Sequence, residues 1–197
     1  ISDEWIERIR RQQPELQDAK EERYQWEFGL TLSDARMITS SKRLADLFEA
    51  AAALCHKPKK VANWLIVETM HLLKERGMEP EEIVFSPEHL ARLVELAEAG
   101  AVNSSVAKEV FEKIFDEDVE PESYIEQHGL RTVSDTGLLK KAVEQAVAEN
   151  PQSVQDYRSG KEKALGYLVG QVMRQMKGKA NPAAVHQLLT ELLQEKG

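Results

Sequence analysis

Helix start and stop signals recur at helical distances along almost the whole chain. Between Ser86-Pro87 and Gly100, the apolar residues lie three, one and three positions apart, which is the spacing of one helical face. These apolar residues are Leu90, Leu93, Val94 and Ala97. Because serine caps a helix, proline fits its first position and glycine ends it in a left-handed conformation, this order predicts an amphipathic helix.

The same order of residues recurs elsewhere and predicts an all-α protein of roughly ten helices. Among others, we expect helices over Pro58 to Gly77, Thr136 to Glu149, Pro151 to Arg158 and Gly160 to Met176. Only Glu82 to Phe85 resembles a strand. The sequence therefore predicts a multi-helix domain that is followed by a small three-helix module.

An acidic segment that contains Pro121 interrupts the helical pattern before it restarts at Ser134. Breaks of this kind are typical of domain boundaries. We therefore expect a helical domain over residues 1–130, of which residues 1–40 form an N-terminal helical extension. A C-terminal tail module is expected over residues 131–197.

Composition limits the class of protein. A single cysteine, Cys55, excludes a disulfide framework and a four-cysteine zinc site. The longest apolar run, Ala50 to Cys55, is far too short to span a membrane, and no secretory signal is visible. We therefore expect a cytoplasmic protein without a membrane partner. Since the chain begins at Ile1 rather than at methionine, we expect it to be either a fragment of a longer protein or a processed product.

Residue combinations that could carry catalysis are weak. Glu68 and His71 have the Glu-x-x-His spacing of carboxylate-bridged metal sites, but such sites need a second copy of the motif, which the sequence lacks. Cys55 and His56 adjoin at a predicted helix end, where packing explains them better than a nucleophilic role. The sequence thus indicates no catalytic residue, no metal ligand and no cofactor in this chain.

The charge is unevenly distributed along the chain. Although the net charge is −8, the segment from Arg158 to Asn181 holds six basic residues and one acidic residue. Such a local excess of positive charge indicates a polyanionic partner. A solvated helix face would show the same pattern, so this alternative stays open.

Two glycines within the basic segment need an explanation. Gly166 and Gly170 lie one turn apart inside a predicted helix, where each costs roughly 0.8–1 kcal/mol relative to alanine. Close approach of another backbone is the usual reason for such glycines. The approaching backbone is either that of a neighbouring helix or the phosphate–sugar backbone of a nucleic acid.

The cations around these glycines form a candidate phosphate-binding patch. Helical spacing places Lys163, Arg174 and Lys177 on the side that bears the glycines, whereas Lys161 is offset by about half a turn. The turn after the helix places two lysines around a glycine that allows close backbone approach. Lysine side chains and the N–H groups at a helix start both bind phosphate oxygens. The candidate residues are Lys161, Lys163, Arg174, Lys177, Gly178 and Lys179.

Several motifs of the chain are similar to those of a known family. The tail motifs are Asn150-Pro151, Gly160-Lys161, Lys163-Ala164-Leu165-Gly166, Leu168-Val169-Gly170-Gln171-Val172-Met173 and Gly178-Lys179-Ala180-Asn181-Pro182. Upstream motifs are Ala62-Asn63-Trp64-Leu65 and Ala107-Lys108-Glu109-Val110-Phe111. With these motifs the chain resembles the C-terminal part of the GatB subunit of the aspartyl/glutamyl-tRNA amidotransferase, a helical domain followed by a YqeY-type tail. Met176 and Ser104-Ser105 depart from the usual residues of the family.

The resemblance implies a role in translation. Full enzymes of this family are ligases that convert Glu-tRNA(Gln), and in many organisms Asp-tRNA(Asn), to the corresponding amides with ATP and glutamine-derived ammonia. Their Mg²⁺-dependent catalytic site lies in the N-terminal domain of the GatB subunit, and two further proteins, a glutaminase and a small third subunit, complete the heterotrimer. The resemblance implies that the chain itself is non-catalytic.

The same resemblance implies that the chain binds the body of tRNA(Gln) or tRNA(Asn) rather than DNA. From their charge and spacing, we expect the candidate phosphate-binding residues to be the RNA contacts. Structured RNA is recognised largely by shape, phosphates and 2′-hydroxyls, which suits a small basic module. A second hypothesis stays open, in which the chain is a helical protein-interaction module that contacts partner subunits without touching RNA.

Overall fold

The computed structural model describes residues 15–133 and 136–195. Within these ranges the regular elements are helices and no β-strand occurs, so the all-α prediction is confirmed. The α-helices are α1 (Gln17–Phe28), α2 (Leu32–Thr39), α3 (Lys42–Cys55), α4 (Pro58–Asn63), α5 (Met70–Arg76), α6 (Pro87–Glu98), α7 (Ser104–Glu117), α8 (Pro121–Gln127), α9 (Thr136–Glu149), α10 (Pro151–Arg158), α11 (Lys163–Gln175) and α12 (Pro182–Glu195). The first 14 residues of the predicted N-terminal extension and the predicted restart at Ser134 lie outside the described residues.

The chain forms two compact units. The first unit contains the described residues up to Val94, together with Phe115–Asp118. The second unit contains Glu95–Ile114 and the described residues from Val119 onward. The boundary expected between residues 130 and 131 falls inside the second unit, and independent folding of the tail module stays a prediction.

Aromatic rings from α1 and α3 form the centre of the first unit. Tyr24 and Phe28 contact Phe48, with ring centroids 4.9 and 5.1 Å from that of Phe48. The hydroxyl of the fully buried Tyr24 donates a hydrogen bond to Glu49 Oε1 (2.6 Å), and Arg23 Nη2 donates to the same oxygen (2.8 Å). Burial opposes ionisation of the Glu49 carboxyl, but the two hydrogen bonds together with the positive charges of Lys20 and Arg23 outweigh it and lower its pKa. This paired carboxylate joins α1 to α3.

The helix expected from Pro58 to Gly77 forms, but a π-helical turn interrupts it. Trp64–Thr69 adopts this wider turn between α4 and α5. The buried Thr69 hydroxyl donates a hydrogen bond to the carbonyl oxygen of Trp64 five residues earlier (3.1 Å). Gly77 ends the helix with a left-handed φ of +62°, as its position in the sequence predicts.

The strand-like residues Glu82 to Phe85 form no strand. Pro80–Glu82 is a short 3-10 turn, and the backbone is extended at Ile83. The side chain of Arg43 takes the place of a neighbouring strand, because its Nε donates to the Ile83 carbonyl (3.0 Å) and its Nη2 to the Phe85 carbonyl (2.9 Å). The buried side chains of Ile83 and Phe85 thus explain the apolar pattern without a sheet.

Tail helices of the second unit enclose a hydrophobic cluster of their own. Its buried members come from α9, α11, α12 and the turn before α12. They are Leu139, Ala142, Val143, Ala146, Leu165, Leu168, Val172, Ala180, Val185, Leu189 and Leu193. The partly buried Met176 also packs against this cluster, as do Val154 and Tyr157 of the short helix α10. The tail therefore consists of three longer helices and one short helix.

Helix α11 begins later than the sequence pattern predicts. We expected a start near Gly160, whereas the helix begins at Lys163. Gly160 has a left-handed φ of +92°, and the N–H of Lys161 donates to the carbonyl oxygen of Asp156 (3.0 Å). These two features close the end of α10, so the new helix begins only after them.

Candidate nucleic-acid interface

One side of α11 is exposed to solvent along its whole length. The residues on this side, which we name the tail face, are Lys163, Gly166, Tyr167, Gly170 and Arg174. Their spacing of three or four residues keeps them on one side of the helix. The opposite side holds Leu165, Leu168 and Val172, all of which are buried in the tail core. The packing of the core thus orients the tail face toward solvent.

The two cations of the tail face are available for a partner. Lys163 and Arg174 are exposed, and neither side chain forms an ion pair with another residue in the described part of the chain. Lys177 follows in the turn after the helix and is also exposed and unpaired within those ranges. Three unpaired cations within fifteen residues make this an electropositive surface on an acidic protein.

Lys161 differs from the other candidate residues. It precedes α11, and its Nζ lies 3.0 Å from Asp156 Oδ1 in an exposed ion pair. Exposed ion pairs contribute only about 0–1 kcal/mol, so a phosphate could replace this partner at little cost. Lys161 is nevertheless the member of the candidate set whose charge is already compensated.

The backbone conformation of the turn after α11 explains why the turn contains a glycine. Lys177 and Gly178 both have left-handed φ values, of +52° and +73°. The N–H of Lys177 donates to the carbonyl of Arg174 (3.0 Å), and that of Gly178 donates to the carbonyl of Met173 (2.8 Å). These bonds end the helix in the usual way of a glycine-terminated helix. The conformation of Gly178 therefore explains its presence without close approach of RNA.

Asn103 holds this turn in place from an earlier part of the second unit. Its Nδ2 donates to the carbonyl oxygens of Gly178 and Ala180, the latter at 3.2 Å. The carbonyl of Lys179 accepts a further hydrogen bond from the N–H of Val133 (2.8 Å). The Lys179 side chain is half-buried, and its Nζ lies close to Gly129, 3.7 Å from where a Cβ would stand. Lys179 is thus less accessible than the cations of the tail face.

The glycines of the tail face are open to solvent. At both Gly166 and Gly170, no heavy atom of a packing partner lies within 4 Å of the position that a Cβ would occupy. Neither residue has a positive φ, so backbone conformation does not require glycine there. Of the two explanations left open by the sequence, a neighbouring helix is not found among the described residues.

Tyr167 is the residue of this surface that the sequence reasoning missed. It lies four residues after Lys163 and seven before Arg174, and its side chain is 52% exposed. The signal was present in the sequence, because the i, i+4, i+7 and i+11 positions from Lys163 share a face. Charge and glycine spacing alone do not reveal it, since tyrosine is neither charged nor small.

The other residue combinations remain unremarkable in the structure. His71 is exposed, and its Nε2 lies 3.7 Å from Oε2 of Glu75, one turn along the same helix. Cys55 is buried, and His56 ends α3 in a left-handed conformation. Within residues 15–133 and 136–195, no group of three side chains could hold a metal ion. In the same ranges, no helix is both long enough and apolar enough to cross a membrane.

Comparison with known proteins identifies the family. A family model described as the GatB domain matches residues 46–193, which is most of the chain. The chain belongs to the GatB family. Its relatives include the B subunits of aspartyl/glutamyl-tRNA(Asn/Gln) amidotransferases from Agathobacter rectalis (56% identical), Lachnoclostridium phytofermentans (53%) and Caldanaerobacter subterraneus subsp. tengcongensis (47%).

The chain spans only part of these GatB relatives. Each match covers 98% of the chain, but only 41%, 40% and 41% of the respective relative. Membership of the GatB family agrees with the resemblance that the tail motifs carry. The larger share of each relative has no counterpart in this chain, so the match establishes the family and not the activity of a complete subunit.

Proposed function

We propose that this chain is the tRNA-docking part of a tRNA-dependent amidotransferase. The observation that carries the proposal is the tail face, where unpaired cations flank two glycines that nothing covers in the described structure. Phosphate contacts position a protein on a nucleic acid without reading its sequence. A firmly packed helix with open glycines and exposed cations suits such contacts, because RNA backbone can approach it closely.

The reaction proposed for the whole assembly is that of the family. It converts Glu-tRNA(Gln) or Asp-tRNA(Asn) to Gln-tRNA(Gln) or Asn-tRNA(Asn), with ATP and ammonia derived from glutamine. We assign ATP and Mg²⁺ to the remainder of the GatB subunit, as the family resemblance implies. In this proposal the chain acts in the cytoplasm beside the glutaminase and the small third subunit of the heterotrimer.

The electrostatics favour a localised contact. The net charge of −8 repels a polyanion over most of the surface, so RNA is directed to the basic segment from Arg158 to Asn181. Each phosphate that a cation neutralises releases counterions, which makes the affinity depend on salt. Binding by this chain alone is expected to be weak, because the acceptor end of the tRNA has no site on it.

A titration of the full 197-residue chain with unmodified tRNA tests the proposal. We expect log affinity to fall linearly with log salt concentration, with a slope of about −2 to −3 if the three cations contact phosphates. Unlabelled tRNA should displace the labelled tRNA at lower concentrations than an unstructured poly(A) of equal length, since a folded RNA is recognised by shape. Equal competition by both RNAs would reduce the interaction to charge attraction and contradict tRNA docking.

The protein-interaction hypothesis has one supporting observation. Trp26 on α1 is 77% exposed, and tryptophan is one of the residues that are enriched in protein–protein interfaces. In this alternative the chain contacts partner subunits and the basic segment meets an acidic protein surface. A chain that binds purified partner subunits but shows no tRNA binding at low salt would favour it.

A further inference from the structure

Tyr167 occupies the middle of the tail face. Lys163 lies one turn before it, Gly170 lies one turn after it, and Arg174 lies two turns after it on the same side of α11. At about 1.5 Å per residue, the two cations are roughly 16 Å apart along the helix axis, with the aromatic residue between them. An exposed aromatic ring is thus flanked by unpaired positive charge on both sides.

The packing of the tail does not account for Tyr167. The core side of α11 is filled by Leu165, Leu168 and Val172, and Tyr167 is not a member of the cluster that they form. Half of its side chain remains in water, at 52% exposure. The hydrophobic cluster of the tail therefore does not explain a large aromatic residue at this position.

The surroundings of Tyr167 admit a flat ligand. Gly166 precedes it directly and Gly170 follows one turn later, and no heavy atom of a packing partner lies within 4 Å of the Cβ position of either. A side chain at either glycine would stand beside the tyrosine. Their absence leaves the surface around the ring low enough for a planar group to approach.

We propose that Tyr167 is a stacking platform for a nucleobase exposed on the surface of the bound tRNA, which rests on the tRNA-docking function proposed above. Bases that are unstacked in loops, or that end a stack, bind proteins by stacking on aromatic side chains. The phosphates on either side of such a base lie within reach of Lys163 and Arg174. Charge complementarity favours RNA over an apolar protein partner, because the exposed long side chains one turn before and two turns after Tyr167, those of Lys163 and Arg174, are cationic.

Substitutions of Tyr167 affect base stacking and phosphate contacts differently. A stacked base needs a ring, so Phe or Trp at position 167 preserves the interaction, whereas Leu keeps apolar volume but removes the ring. None of these three substitutions alters the number of phosphates that the chain neutralises. The affinity should therefore change while its salt dependence does not, which separates stacking from the phosphate contacts.

The test measures the affinity of the full chain for unmodified tRNA in wild type, Tyr167→Phe, Tyr167→Trp and Tyr167→Leu. We expect Tyr167→Phe and Tyr167→Trp to bind tRNA with an affinity within about twofold of wild type. Tyr167→Leu should lose about 5- to 100-fold in affinity, while the dependence of its affinity on salt stays unchanged. The thermal midpoint of each variant shows that an exposed substitution leaves the fold intact. Because the side chain is exposed, all four proteins are expected to fold.

Failure of this inference can be told apart from failure of tRNA docking. If wild type binds tRNA with the expected salt slope and Tyr167→Leu binds equally well, the stacking role is overturned and docking stands. If wild type shows no salt-dependent tRNA binding, docking and stacking are both overturned. Loss of affinity for a purified partner subunit in Tyr167→Leu, with tRNA binding unchanged, assigns the residue to a protein interface and overturns stacking.

Discussion

Reversing the charges of the two tail-face cations and of Lys177 is expected to lower the affinity of the full chain for tRNA by about 100-fold at low salt. The variant combines Lys163→Glu, Arg174→Glu and Lys177→Glu, all at exposed positions. Each lost phosphate contact is expected to cost about 1 kcal/mol after solvent screening, and about 1.4 kcal/mol corresponds to tenfold in affinity. The slope of log affinity against log salt should fall toward zero, since about 0.7–0.9 of it belongs to each neutralised phosphate.

A matched control separates a local effect from general repulsion. Lys42→Glu, Lys57→Glu and Lys74→Glu change three exposed residues of the first unit and alter the net charge by the same amount. We expect this control to retain affinity within a few-fold of wild type in a filter-binding titration. Equal affinities of the two triple variants would show that the tail face is not where tRNA binds.

We expect the substitution Leu168→Ala in the tail core to destabilise the second unit by about 2–5 kcal/mol. Leu168 is fully buried on α11, so Leu168→Ala loses the burial of its side chain and leaves a cavity. Urea unfolding followed by circular dichroism measures the change in the free energy of unfolding. Because the same helix displays the tail face, affinity for tRNA should fall once the tail is partly unfolded.

The control for this substitution is Leu138→Ala on the neighbouring helix α9. The Leu138 side chain is 52% exposed, so truncation should cost less than about 1 kcal/mol. A similar loss of stability in both variants would contradict the assignment of Leu168 to a packed core and with it the orientation of the tail face.

Local patterns predict most helices of this fold because they rest on short-range chemistry. The helices Thr136–Glu149 and Pro151–Arg158 begin and end where caps, prolines and apolar spacing predict them. The π-helical turn at Trp64–Thr69 was not predicted, because one wider turn leaves no mark in a spacing of three or four residues. The sequence did not show whether the residues after Pro80 form a strand. Their backbone carbonyls bond to the side chain of Arg43 and not to a neighbouring strand, and this contact is invisible in a local pattern.

The candidate site was predictable only in part. The basic segment and the glycine pair are visible in the sequence, but whether a helix of the same chain covers Gly166 depends on tertiary packing. The hydrogen bonds from Asn103 to the turn at Gly178 connect residues 75 positions apart, and no local pattern indicates them. The accessibility of Lys179 likewise depends on distant residues. Tyr167 was within reach of the sequence, since helical spacing alone places it among the cations.

Residue-specific NMR shows where on the chain tRNA binds, and so tests whether it binds on the tail face. Amide resonances of the uniformly ¹⁵N-labelled, 197-residue chain are followed while unmodified tRNA is added at low salt. We expect the largest shifts or line broadening to fall on residues 163–178, centred on Gly166, Tyr167 and Gly170, and to disappear at high salt. Perturbations confined to the first unit, with residues 163–178 unchanged at saturating tRNA, would contradict it.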